Sequence, residues 1–252
     1  MDGGLLRGED DPVIVVNSGG ASDFVLVCEH AGRVIPKRLG TLGLAEEDLA
    51  RHIAWDIGAE GVARRMSAAL DAPLILQRFS RLVYDCNRPP ESRDAMPAVS
   101  ETTPIPGNEM LASSEKLERI EVLYRPFHGA VSRLLDQRAA AGTESILITI
   151  HSFNPVYRGM RRMLDLGILH DTDSRLADAL LKSLTAEPDL AVRRNEPYGA
   201  QDGVTHTLLL HGISRRLRNA MVEIRNDLVH DEAGQEVWAE RLSRRLGEAR
   251  MG

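Results

Sequence analysis

Cysteine is scarce in this chain: Cys28 and Cys86 are the only two among 252 residues. Both sit in apolar runs, so a disulfide framework is excluded as the organiser of the fold, and two buried thiols are expected rather than a bridge. The opening residues, MDGGLLRGEDDPVIVV, lack the charged-then-apolar order of a secretory signal, and no apolar run approaches the length of a membrane span. A cytoplasmic protein with no membrane partner is therefore expected. A basic excess is missing too. The formal charge is −6, which gives no electrostatic reason to expect a nucleic-acid partner. The paired arginines (Arg161-Arg162, Arg193-Arg194, Arg215-Arg216, Arg244-Arg245) are interspersed with acids and read as solvated helix ends or faces. Also absent are an HExxH helix, paired CxxC motifs, a P-loop, a dinucleotide fingerprint and a GxSxG elbow.

What is present is an ordinary globular composition, 43% hydrophobic and 27% charged, in a length that suits one large domain. A single domain over 1–252, with its core in about 22–250, is expected. Phe24 to Cys28 and Ser145 to Ile150 are continuous apolar runs of the kind that form strands covered on both faces. Pro73 to Leu76, Leu82 to Tyr84, Leu166 to Leu169 and Ala220 to Ile224 read as further strands. Helical spacing marks Ala45 to Leu70, Ser113 to about Ala141 with a break near Pro126, Ser174 to Leu184, and Glu236 to Glu248. The stretch from Arg88 to Gly107, rich in proline, serine and threonine, reads as an ordered loop. This alternation predicts a three-layer α/β sandwich with a mostly parallel, mixed central sheet.

In such sheets, sites form at the carboxyl ends of strands. Glu29 and His30 stand where the first apolar run stops, and Gly32 lets the backbone turn there. His151 and Ser152 follow the central run directly. Two strand-end imidazoles suit a shared zinc ion, although each alone is equally a hydrogen-bonded structural residue. Asp56, among apolar neighbours, is a further candidate ligand or an ordinary early-helix acid, and spacing does not choose between it and Glu29. Glu223 interrupts an apolar strand, where a carboxylate needs an arginine, a metal or a solvated cleft. Arg88, after Asn87 and before two prolines, suits an anion-binding arm or an internal pair with Asp85. His52, His128, His170, His211 and His230 are assigned to surface or packing positions.

Taken as an ordered series, CEHAGRVIP, RHIAWDIGAEGVARR, QRFSRLVYDCNRPP, SETTPIPGN, ITIHSFNPV, RNEPYGAQDGV and VEIRNDL resemble the N-formylglutamate amidohydrolase family, from about Val25 to Leu228. The likeness is to the branch known as predicted N-formylglutamate amidohydrolases, and the family is distantly similar to zinc carboxypeptidases. The resemblance implies a zinc-carboxypeptidase-like (phosphorylase/hydrolase-like) fold and zinc, or another divalent metal, on His30 and His151. It implies a substrate carboxylate held by Asn87 and Arg88, with Ser152 beside it, and Glu223 as base. Arg33 stands where carboxypeptidases place a glutamate ligand, so the third ligand comes from elsewhere, and Asp56 is taken ahead of Glu29. His206 and Arg161-Arg162 depart from aromatic residues expected in relatives, with substrate choice the expected consequence.

The expected activity is hydrolysis of N-formyl-L-glutamate, or a similar small acidic N-acyl amino acid, to formate and the free amino acid, with a place in histidine catabolism. Arg81 joins the metal in stabilising the oxyanion, and Glu223 moves the proton. The alternatives are a deacylase or carboxypeptidase-like hydrolase of a different N-acyl amino acid or peptide, and a non-catalytic binder of acidic metabolites on the same fold.

Overall fold

The computed structural model describes residues 4–250. Its strands, in chain order, are β1 (Val13–Val16), β2 (Phe24–Cys28), β3 (Leu74–Gln77), β4 (Val99–Ser100), β5 (Thr103–Pro104), β6 (Ile146–Phe153), β7 (Val156–Tyr157), β8 (Met160–Arg161), β9 (Leu166–Leu169), β10 (Val192–Arg194) and β11 (Arg218–Arg225). The helices are α1 (Glu46–Ala50), α2 (Ala59–Leu70), α3 (Ser113–Arg119), α4 (Arg125–Ala140), α5 (Arg175–Leu184) and α6 (Glu232–Arg250). Among the described residues no helix is long and apolar enough to cross a membrane.

Seven strands form one sheet in the order β1-β3-β2-β6-β11-β9-β10. Its middle, β3, β2, β6 and β11, is parallel. Towards the edges, β1 runs antiparallel to β3, and β9 runs antiparallel to β11 with β10 parallel to β9. The chain leaves β2 towards β3 on one side and later returns to β6 on the other. Their carboxyl ends therefore border a topological switch point, where a crevice opens.

Side-chain alternation sorts the middle strands between two cores. Leu26, Ile148 and Val222 face the layer of α2, α5 and α6, while Val25, Leu147 and Met221 face the layer that contains α4. All six are fully buried, each contributing about 1.5–3 kcal/mol of apolar transfer energy. The result is the three-layer α/β sandwich with a mostly parallel, mixed sheet. The same parity puts Glu29, His151 and Glu223 on the α4 side of their strands. Cys28 and Cys86 are buried free thiols.

Three expectations are corrected. Leu82 to Tyr84 is a compact turn: Val83 N donates to Ser80 O, Leu82 N donates to Ser80 Oγ, and Ser80 Oγ donates to Ala54 O. These residues are apolar because they fill a core, not because they extend. The helix expected over 45–70 is interrupted from Arg51 to Gly58, whose φ of 80° is left-handed. A Cβ on Gly58 would lie 2.0 Å from Val229 O, so both conformation and space require glycine. Near Pro126 the helix does not break. A π-helical turn, Ile120–Tyr124, joins α3 to α4 ahead of the residue that lacks an N–H.

Candidate functional site

The carboxyl ends of β2, β6 and β11 converge on one buried cluster. Glu29 and His30 extend from β2, His151 lies in β6, and Glu223 is its register partner in β11. Asp56 arrives from the interrupted helix, its N–H donating to His30 O (2.9 Å). Gly32 tightens the exit from β2 by close approach: a Cβ there would sit 1.7 Å from Arg78 O.

Both imidazoles turn Nδ1 towards the Asp56 carboxylate. Oδ2 lies 2.9 Å from His151 Nδ1 and 3.4 Å from His30 Nδ1. Their ring centroids are 4.9 Å apart at 73°. Behind the rings stand two more carboxylates. Asp85 Oδ1 is 2.7 Å from His30 Nε2, and Glu29 Oε2 is 3.0 Å from His151 Nε2, off the line of a hydrogen bond. A carboxylate only accepts, so Asp85 fixes the His30 proton on Nε2 and turns the Nδ1 lone pair inward.

Burial works against charge on all these groups, yet their mutual attraction outweighs it. Asp85 and Asp56 raise His30 above the usual imidazole range, and Glu29 and Asp56 raise His151 well above it. In return Asp56, beside His30 and Arg81, is held well below the ordinary carboxylate range, and Glu29 and Asp85 are lowered. Two buried carboxylates, Glu29 and Asp56, and the partly buried Asp85 around two rings make a pocket that favours positive charge. The ligand atoms of His30, Asp56 and His151 lie within 4.8 Å of one another. Two imidazole nitrogens, one carboxylate and a carboxylate behind each ring form a donor set that fits a divalent ion such as zinc.

Around this cluster opens a cavity of about 640 Å³. Glu223 lines it, 5% exposed, with Oε2 unpartnered. Burial pushes its carboxyl up to about 8, with Asp56 adding to the shift and the histidines opposing it. Arg81 donates from Nη1 to Asp56 Oδ1 (3.2 Å) and His30 Nδ1 (3.1 Å), and from Nη2 to His52 O (3.1 Å). The hairpins β4–β5 and β7–β8 both supply stretches of the wall, and the ordered 88–107 loop also contributes Asp94 and Pro97.

Several expected site residues also bond within the protein. Asn87 lines the cavity; its Nδ2 donates to Val204 O and its Oδ1 accepts from Thr207 N, which leaves the second N–H of the amide without an intramolecular acceptor. Ser152 Oγ donates to Ile57 O (2.8 Å), fastening the Asp56 segment to β6. Arg88 reaches the cavity wall with Nη1 bonded to the Asn87 and Gly203 carbonyls, and it has no ion pair with Asp85. Arg33 leans over Trp55, 5.2 Å from the ring centroid. His206 stacks on Tyr124 and bonds its hydroxyl (2.9 Å) without lining the cavity.

Sequence reading passed over several participants. His52 is buried beside Asp56 and lines the cavity, held neutral by burial with its pKa lowered to about 3. Asp85 was weighed only as a partner for Arg88. Its place between Tyr84 and Cys86, both buried, was the available signal, since a carboxylate among core residues needs a partner. Arg162, read both as one of the solvated pairs and, from the resemblance, as a departure bearing on substrate choice, lines the cavity.

The chain resembles a crystal structure of a gene product from Agrobacterium tumefaciens, with 51% identity, 97% of each chain covered and a TM-score of 0.95. At fold level it is similar to the N-formylglutamate amidohydrolase of Ralstonia eutropha, with 21% identity, 96% of this chain and 98% of that one covered, and a TM-score of 0.64. Among curated proteins nothing matches. The N-formylglutamate amidohydrolase family model matches residues 22–230, which span every element of the cluster just described; the chain belongs to that family.

Proposed function

We propose that this protein is a divalent-metal-dependent amidohydrolase that cleaves N-formyl-L-glutamate, or a closely similar N-acyl amino acid, to formate and the free amino acid. The observation that carries the reading is the pairing of two inward Nδ1 atoms around Asp56 with a carboxylate behind each ring, beside a cavity lined by unpartnered Glu223.

His30, Asp56 and His151 would hold the ion. A divalent cation there supplies Lewis-acid polarisation of the amide carbonyl and activation of water. Asp85 and Glu29 orient the two rings from behind. The His30 Nδ1 lone pair cannot both ligate and accept from Arg81, so with an ion held there Arg81 Nη1 would lose that acceptor. The freed N–H is then available to a developing oxyanion.

Glu223 takes a proton from water as oxygen bonds to the formyl carbon, and returns it to the nitrogen as the C–N bond breaks. Burial alone would keep this carboxyl protonated at neutral pH, and a neighbouring cation favours its ionised form. Arg88 presents its unbonded nitrogens to the α-carboxylate, while Asn87 and Ser152 hold the surrounding loops in place.

The test is metal analysis of protein purified without chelator, combined with turnover of N-formyl-L-glutamate. The expectation is one ion per chain, and Glu223→Gln lowering kcat by about 10²–10⁴-fold with the ion retained. Protein that binds no divalent ion, or a Glu223→Gln variant with full activity, overturns the proposal.

A further inference from the structure

The β7–β8 hairpin ends in two arginines, and the second turns back against three aromatic rings. The Arg162 guanidinium carbon is 4.7 Å from the ring centroid of Tyr157, 4.8 Å from Tyr198 and 5.6 Å from Phe153. Nη1 donates to the Tyr198 hydroxyl (3.0 Å) and the Asn154 carbonyl (3.4 Å). Nε and Nη2 have no acceptor among the described residues.

Several other arginines differ in this respect. Arg175 pairs with Asp173, Arg194 with Asp178, Arg225 with Asp165 and Arg241 with Glu187. Arg162 is partly buried and lines the same cavity as His30, His151 and Glu223, yet its neighbours are rings and a carbonyl rather than a carboxylate. Ring faces fix the plane of a guanidinium by cation–π attraction, so the open edge is held ready before any ligand arrives. Two parallel N–H groups on a preset plane match the two oxygens of a carboxylate. Arg88 accounts for one carboxylate of an acidic N-acyl amino acid and leaves the other without a partner.

We infer that Arg162 is a specificity-determining residue that takes the side-chain carboxylate of the substrate on its Nε–Nη2 edge. This rests on the amidohydrolase reading above. Such an edge selects an acidic side chain over the isosteric amide, because the amide replaces one acceptor oxygen with an N–H donor that meets another donor. Arg161, its exposed neighbour, lacks the ring cage.

The experiment compares metal-loaded wild type with Arg162→Met, whose flexible chain fills the space between the rings, and with Arg162→Lys. Hydrolysis of N-formyl-L-glutamate is measured against N-formyl-L-glutamine. Wild type is expected to favour the glutamate by about 10–100-fold in kcat/KM, as loss of a charged bidentate contact implies. Arg162→Met should erase that preference through KM while turnover of the glutamine analogue stays within about threefold. Arg162→Lys should recover part of the preference. Calorimetric binding of L-glutamate against L-glutamine to the same proteins gives a readout independent of catalysis.

A wild type with no glutamate preference in either assay overturns the inference. So does an Arg162→Met variant that weakens both ligands equally, which is the signature of a purely structural clamp. If wild type hydrolyses neither formyl compound yet binds L-glutamate through Arg162, the inference stands and the amidohydrolase reading falls.

Discussion

Replacing Asp85 by asparagine tests whether the carboxylates behind the rings serve a metal. Asp85 Oδ1 accepts from His30 Nε2 at 2.7 Å and from Asn87 N at 2.8 Å. The asparagine oxygen can keep both contacts, so the variant removes charge and leaves shape. A hydrogen bond to a charged group is worth about 1.5–3 kcal/mol and a neutral one about 0.5–1.5, a difference of about 1–1.5 kcal/mol. At about 1.4 kcal/mol per factor of ten, zinc affinity should fall about tenfold. Asp85→Ala, which loses the bond altogether, should approach the upper end of the range for such partners, about 100-fold. Competition against a chromogenic chelator reads both, with Asp94→Asn as a control that removes a charge from the same cavity without touching His30. The size of the effect should depend on pH. Asp85 raises the His30 pKa against the opposing effect of burial, so a metal must displace a proton more often from wild type. The gap between wild type and Asp85→Asn should therefore narrow as pH falls from 8 towards 6. Equal affinities at pH 8, or losses matched by Asp94→Asn, would refute the role given to Asp85.

Two further outcomes follow from the packing. Gly58→Ala forces a side chain into a left-handed position against the Val229 carbonyl and should cost at least about 2 kcal/mol by urea unfolding, displacing the segment that carries Asp56; a loss under about 0.5 kcal/mol would contradict the geometry. His128 donates from Nε2 to Cys86 O and accepts at Nδ1 from His211, and burial lowers the two rings to about 4 and about 3, below the unfolded value. Their contribution is full above the unfolded pKa of about 6.5 and is lost as pH falls towards 4, at up to about 1.4 kcal/mol per pH unit per ring. His211→Gln should remove one ring's share of that slope between pH 6.5 and 4.5, while the opposite effect of His30 and His151 cancels in the comparison; parallel slopes would refute it.

The strands that hold the site were legible because they are buried on both faces. Phe24–Cys28, Ile146–Phe153 and Arg218–Arg225 contain apolar runs that other structures rarely tolerate, so the residues interrupting or ending them stood out. Edge strands carry a weaker signal. Val13–Val16 is partly exposed and Val192–Arg194 has one apolar residue, so neither reached the threshold of a pattern. His30, His151 and Glu223 stood out by position along the chain and Asp56 was preferred once the resemblance was considered; the four line one cavity. That a carboxylate stands behind each imidazole is a relation between residues 122 or 55 positions apart. No local pattern encodes it. Asn87 and Ser152, given a place beside the substrate by the resemblance, both line the cavity while also bonding to backbone groups of the protein itself.

His151 and Glu223 are directly paired across β6 and β11, which gives the backbone a ruler. Neighbouring strands keep a spacing of about 4.8 Å whatever the loops around them do. The Glu223 carboxyl and the ring beside it are thus locked to a lattice, whereas Tyr157, Met160 and Arg161 line the cavity from a short hairpin outside it. Exchanging the 154–164 segment between relatives should re-aim selectivity while leaving the reacting geometry where the hydrogen-bond ladder put it.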